Sequence, residues 1–266
     1  MTRVLSGAVL LVLAIGVVWY ASAAMFFIVA EVLLALACRE YVGLARASRL
    51  NAPAVLSTVA AGVACATFTQ FAASWPLLLS LDIVLAVSFL TLAGYQMFAW
   101  RPGIDAVGSA AAAMLPILYL GIPIGTMVAI REVRGPQGLF LMMLTVFVSD
   151  SAQYYSGRAF GRHHLAPAIS PKKTIEGAVG GFIFGAVALG VIGMWWLPEV
   201  PMMGRLLIGV AIVIAGIVGD LFESMLKRSA GVKDSSTLIP GHGGILDRID
   251  ALLFAAPLYY IMLKNV

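Results

Sequence analysis

Of the 266 residues, 61% are hydrophobic and only 11% are charged. Soluble domains carry roughly 25% charged residues, so most of this chain faces lipid or other apolar helices. The net charge of +4 resides in polar connections and makes no case for nucleic acid, and the two cysteines, Cys38 and Cys65, suggest neither a disulfide framework nor a metal knuckle.

Apolar runs near 20 residues recur along the chain, each long enough to cross about 30 Å of hydrocarbon. They are continuous and rich in Ala, Leu and Gly, without the alternation of a barrel strand. The expected fold is all-α: a polytopic membrane protein with about nine transmembrane helices and a cytoplasmic N-terminus.

Arg3, an apolar run and Ala21-Ser22-Ala23 have the outline of a signal peptide. The alternative is two short spans, Val4 to Tyr20 and Ser22 to Ala37, joined by a tight turn. Glu31 in the second reads as a partly buried carboxylate with a helix partner. Arg39, Arg46 and Arg49 precede a break at Pro53 and a third span, Ala54 to Ala73. A fourth runs from Trp75 to Trp100 and carries Asp82. The fifth, Val107 to Ile130, contains Pro116 and Pro123 as expected kinks. Arg131 to Gln137 reads as a short polar loop, and the sixth span, Gly138 to Gly157, contains Asp150.

A long polar loop, 158–176, follows, then a seventh span, Gly177 to Leu197, opened by small residues that permit close helix contact. The eighth, Met203 to Met225, carries Asp220 and Glu223; the ninth runs from Asp247 to Leu263. The basic residues orient these spans. With nine spans and the N-terminus inside, 13 of the 17 Lys and Arg lie on the cytoplasmic side and 4 opposite, which also favours two spans over a signal peptide. The expected location is therefore the inner (cytoplasmic) membrane, as a multi-pass protein whose active site faces the cytoplasm. Residues 1–135 would form an N-terminal transmembrane region. Residues 136–266 would form a catalytic region with cytoplasmic loops 158–176 and 226–246. Asp150, Asp220, Asp247 and Asp250 then share one membrane level.

Charge concentrates between Ser224 and Asp250, which holds 7 of the chain's 30 charged side chains and 4 glycines. In a membrane protein such a gathering points to chemistry or ion binding. Asp220, Glu223, Ser224 and Lys227 are spaced to line one helix face. Asp247 and Asp250 are one turn apart at a helix start, where carboxylates are also electrostatically comfortable without further purpose. Asp220 within a span is either structural or, with the Asp247/Asp250 pair, a site for Mg²⁺, a hard cation that takes oxygen ligands. His242 has no His or Cys partner at ligand spacing, which argues against zinc.

Gly241, Gly243 and Gly244 would let backbone amides approach a phosphate. Lys227, Arg228, Lys233 and Arg248 would neutralise its charge, and His242 could donate a proton or a hydrogen bond. Ser170, Lys172, Lys173 and Glu176 read either as a second phosphate or headgroup site or as membrane-surface anchors. His163 and His164 read as interfacial polar residues.

These residues resemble the signature of the phosphatidate cytidylyltransferase (CDP-diacylglycerol synthase) family. The matching positions are Ser224, Lys227-Arg228, Lys233-Asp234, His242-Gly243-Gly244, Asp247-Arg248 and Asp250, with Ile239-Pro240 in the spacer. Asp150, Gly157, Gly161-Arg162 and the run from Ser170 to Gly177 are similar to that family too. The resemblance implies transfer of the cytidylyl group of CTP to phosphatidate, with Mg²⁺ (one or two ions, and a monovalent cation as a further candidate), and a homodimer in the membrane. It implies metal ligation by Asp220 and Asp247 with Asp250 or Asp150, and in-line attack at the α-phosphorus helped by positioning and charge neutralisation. The rival readings are an ion-coupled transporter, another nucleotide-dependent lipid-phosphate transferase or kinase, and a non-catalytic scaffold.

Overall fold

A computed structural model describes residues 2–74, 80–239 and 241–264; Trp75, at the expected start of the fourth span, and Pro240 of the signature lie outside them. In chain order the helices are α1 (Thr2–Tyr20), α2 (Ala23–Ala47), α3 (Ala54–Ala66), α4 (Leu81–Ala99), α5 (Ala106–Pro116), α6 (Ile122–Phe160), α7 (Ile175–Trp196), α8 (Met202–Ser229) and α9 (Leu246–Lys264). A two-stranded antiparallel hairpin, β1 (His164–Ala166) and β2 (Ser170–Thr174), lies between α6 and α7. Among the described residues, four helical segments are long and apolar enough to cross a membrane: Leu81–Ala99, Ala106–Phe160, Ile175–Trp196 and Met202–Ser229. The second is 55 residues long.

Several expected boundaries move. The turn at Ala21-Ser22 stands, with Ser22 Oγ capping Met25 N, but α2 continues ten residues past Ala37 and carries Arg39 and Arg46 within it. α3 stops at Ala66 because the hydroxyls of Thr67 and Thr69 bond back to the carbonyls of Ala64 and Ala66, offering the backbone a tight turn instead. Pro116 is followed by a widened π-turn, Ile117–Gly121, the local defect expected where proline removes a helical donor. Arg131 to Gln137 is a kink and not an extended loop: the chain is helical on both sides of Gly135, whose φ of 71°, which only glycine adopts easily, breaks α6 between the two expected spans. The long loop is shorter than expected, since α6 extends to Phe160 and the hairpin occupies its middle.

The chain divides into two compact units. The first comprises residues 1–132 and 226–248. Alanines packed against larger aliphatic side chains build its core: Ala64, Val84, Leu92, Ala113 and Ile117 are fully or nearly buried. Helix hydroxyls and amides satisfy each other across it, with Ser57 Oγ on Ala113 O at 2.9 Å and Tyr41 Oη on Ala112 O at 3.1 Å. The π-turn meets α3 so closely that a Cβ on Gly121 would lie 2.5 Å from the Ala61 carbonyl oxygen. Arg131 ties down the α1–α2 turn: its Nε donates to Val18 O at 2.9 Å and its guanidinium lies over the Phe26 ring.

The second unit comprises residues 133–225 and 249–266. The small residues that open α7 do what small residues do in membranes, letting helices touch. Cβ atoms on Gly177, Gly180 and Gly181 would collide with Gln153 and Ser156 of α6, and one on Gly209 of α8 with Ala186 of α7. Gly219 of α8 passes equally close to the Asp250 carbonyl of α9. Arg134 pairs with Glu199 and donates to Leu263 O at 2.9 Å, so a basic residue inside a helical stretch has partners for both terminal nitrogens.

The Gly121 contact is backbone against backbone and cannot yield by a rotamer change. Gly121→Val should destabilise the protein by about 1–3 kcal/mol, read as a lower thermal midpoint in detergent, whereas Gly16→Ala, with open space around it, should not.

Candidate functional site

Both units carry candidate functional side chains. In the second unit the centre is Asp220 on α8. Its Oδ2 pairs with Lys173 Nζ at 2.7 Å and its Oδ1 accepts from Ser224 Oγ at 3.3 Å. The i, i+4 spacing read from the sequence therefore does place Ser224 and Asp220 on one face. Asp150 on α6 lies within electrostatic reach of both Asp220 and Lys173, and Gln153 Nε2 donates to its Oδ1 at 3.1 Å. The ammonium of Lys173 is bonded to Asp220, and Asp150 lies near enough to feel both charges.

The hairpin delivers that ammonium. Successive residues of a strand point to opposite faces, so Lys173 turns in while Lys172 is exposed. The paired lysines have different surroundings for that reason. Thr174 Oγ1 caps α7 by accepting from Gly177 N at 3.1 Å. Glu176 closes the hairpin onto α7, accepting from Arg162 N at 3.0 Å and His163 N at 3.3 Å, with His163 Nδ1 2.6 Å away. Glu176 and His163 hold each other, and Ser170 lies at the far end of the strand pair opposite Ala166.

In the first unit the centre is Asp247, whose side chain is 5% exposed. Its Oδ1 pairs with Lys227 Nζ at 2.6 Å. Its Oδ2 accepts from Ser235 N at 2.9 Å, Ser235 Oγ at 2.8 Å and Gly244 N at 2.8 Å. Both oxygens are engaged by the chain's own donors. The end of α8 is shaped by Gly231 at φ 70°, with Val232 N on Lys227 O and Gly231 N on Arg228 O, a Schellman stop that turns the chain back into this loop. Ile239 and Gly243 pair across a tight turn that carries Gly241 at φ 78° and Gly243 at φ 79°.

Sequence reasoning missed the residue that anchors this loop from outside. Glu40 of α2 is 6% exposed. Its Oε1 accepts from Ser236 Oγ at 2.7 Å and Ile245 N at 3.0 Å, and its Oε2 from Ser235 Oγ at 2.9 Å and Leu246 N at 2.8 Å. The signal available was faint: an acid beside Arg39, just past the expected end of the second span and some 200 positions from its partners. Glu40 also changes the reading of the glycines. A Cβ on Gly244 would meet Ser235 Oγ and Glu40 Oε2, and one on Gly243 would lie 2.6 Å from Asp247 Oδ2. The glycines make room for the protein's own carboxylates.

The other predicted residues are placed as follows. Lys233, Asp234 and Arg248 are exposed. Arg228 donates to Val232 O at 3.2 Å. His242 approaches α1, where a Cβ on Gly7 would lie 3.2 Å from its Nε2. Asp250 belongs to the second unit, and its Oδ1 accepts from Ala251 N at 2.8 Å.

Among the described residues no three His, Cys, Asp or Glu side chains form a ready-made metal cage. The Asp150–Asp220 pair nonetheless suits a hard divalent cation. Both are oxygen donors, they lie within electrostatic reach of each other and of Lys173, and Mg²⁺ commonly takes one or two carboxylates with water and substrate phosphates completing its shell. The same unit carries an apolar groove of about 560 Å³ lined by Phe147, Ser151, Tyr155 and Phe160 of α6 and Phe184 of α7.

The model of the cytidylyltransferase family matches residues 1–266. Phosphatidate cytidylyltransferase of Staphylococcus saprophyticus is 33% identical over 231 residues, covering 87% of this chain and 86% of that protein. The Synechocystis phosphatidate cytidylyltransferase is 34% identical over 279 residues, 91% of this chain and 87% of that one. The Haemophilus influenzae enzyme of the same name is 47% identical over 130 residues, about half of each chain (46% and 45%).

Removing one partner of the buried Lys227–Asp247 pair leaves a charge without compensation. Lys227→Met should cost about 3 kcal/mol of stability, measured by thermal or denaturant unfolding in detergent. Adding Asp247→Asn to it should recover part of that loss; a double variant destabilised by the sum of the two single effects would show that the pair is not coupled.

Proposed function

The chain belongs to the cytidylyltransferase family, and from that premise we infer that it transfers the cytidylyl group of CTP to phosphatidate, forming CDP-diacylglycerol and diphosphate. The observation that carries the reading is the match of the whole chain to the family, with relatives named phosphatidate cytidylyltransferase over most of their length. It is a nucleotidyltransferase of phospholipid synthesis and a membrane protein, as its long apolar helices require.

The chemistry needs a phosphate oxygen of phosphatidate to form a bond to the α-phosphorus of CTP as the bond to the diphosphate breaks. Phosphatidate is already ionised near pH 7, so no strong base is needed, and positioning with charge neutralisation suffices. We assign Asp220 and Asp150 to hold Mg²⁺, which when bound supplies neutralisation of the polyphosphate charge. Lys173 sits beside these carboxylates with donors to spare and would bind a substrate phosphate as it leaves or shares Asp220. Lys227, held beside Asp247, would supply positive charge to the substrate phosphates together with Arg228, Lys233 and Arg248. His242 would donate to the departing diphosphate. The apolar groove of the second unit suits an acyl chain, being lined by aromatic side chains on membrane-spanning helices.

The topology belongs to the same proposal: about nine spans, the N-terminus and both polar loops cytoplasmic, in the inner membrane, as a homodimer. The distribution of basic residues, 13 against 4, supports the orientation. It would put the substrate-binding loops where CTP is found.

Purified full-length protein in detergent, given radiolabelled CTP and phosphatidate, should form labelled CDP-diacylglycerol with Mg²⁺ and none after chelation. Asp220→Asn should lower kcat by roughly 100-fold or more while the protein still folds, the order expected for loss of a charge-stabilising group. Product formation without any divalent ion, or wild-type turnover by Asp220→Asn, would overturn the metal assignment. Absence of product under all conditions would overturn the function.

A further inference from the structure

The geometry points to Glu40, a residue of the N-terminal half, as a positioning residue for the catalytic loop: its buried carboxylate organises residues 235–246 and the first turn of α9, and so sets Asp247 against Lys227. This rests on the function proposed above in so far as Lys227 and the loop serve that reaction. The placement itself does not depend on it.

Four donor groups face the Glu40 carboxylate, two at each oxygen, at 2.7 to 3.0 Å, and one of them, the Ser235 hydroxyl, shares its single hydrogen with Asp247. Two of them, Ile245 N and Leu246 N, are helix-start amides without an intrahelical partner, which a carboxylate satisfies in both hydrogen bonding and dipole. The other two are the hydroxyls of Ser235 and Ser236, at the opposite end of the loop in sequence. Glu40 therefore clamps both ends of an eleven-residue segment, 235–245, to one point on α2. Ser235 Oγ also lies 2.8 Å from Asp247 Oδ2, so a single hydroxyl links the anchoring carboxylate to the one that pairs with Lys227.

The arrangement has a functional consequence. With Gly244 N on Asp247 and the amides of Ile245 and Leu246 on Glu40, these loop amides are committed to the protein's own anions. Substrate phosphate must then be held by side chains that the loop aims, and their aim depends on Glu40. An amide cannot replace it. Whichever way Gln is turned, its NH2 faces a backbone N–H that needs an acceptor.

The test uses full-length protein in detergent or nanodiscs. Glu40→Gln should lower kcat/KM for CTP by roughly 10- to 100-fold, the range for one or two lost hydrogen bonds to a charged group. It should also raise hydrogen exchange within 235–246 while the helices of the second unit keep their protection. Glu40→Ala should regain activity with added formate but not with chloride at equal ionic strength. Loss of packing alone would not respond to a carboxylate. Should Glu40→Gln fail to fold, Ser236→Ala, which takes a hydroxyl donor from Glu40 and leaves every contact of Asp247 in place, should by itself raise exchange at Ile245 and Leu246. Wild-type kcat/KM in Glu40→Gln, or unchanged loop exchange in the variants that fold, would overturn the inference. If the wild-type protein makes no CDP-diacylglycerol, the exchange measurement still decides the role of Glu40, and the missing product counts against the proposed function alone.

Discussion

A carboxylate can be buried only while its lone pairs are met by donors, and a helix start can be buried only while its amides are met by acceptors. In the first unit each need answers the other. Glu40 and Asp247 fill a ring of backbone amides and serine hydroxyls, and Lys227 balances part of their charge. The glycines at 243 and 244 are needed because this ring leaves no volume for a Cβ. A loop that looked poised to wrap its amides round a phosphate is instead stiffened from within. Stiffness of this kind suits a reaction that depends on holding two charged substrates in line.

The second unit solves a different problem, which is bringing a cation from a surface hairpin to carboxylates on membrane helices. Close packing of α7 on α6 through glycine sets where β2 ends, because Thr174 is both the last residue of the strand and the cap of α7. Strand alternation then selects Lys173 and not Lys172 for Asp220. Asp220 meets the ammonium directly, while Asp150 stands close enough to feel both.

The residue pattern determined much of this. Continuous apolar runs dictated membrane helices, because hydrocarbon tolerates no unpaired backbone. The helical spacing of Asp220 and Ser224 gave their shared face, and the spacing of the Lys, Arg, Gly and Asp positions after Ser224 gave the family. What stayed hidden depended on contacts distant in sequence. Neither the engagement of Glu40 with amides some 200 residues away nor the opposite fates of adjacent Lys172 and Lys173 follows from local spacing. The same holds for Arg131 and Arg134, which looked like a loop because their partners, a helix-end carbonyl and Glu199, are remote. A linear pattern records periodicity and local chemistry, whereas the partner of a buried charge is chosen by packing. Only the folded chain could make that choice.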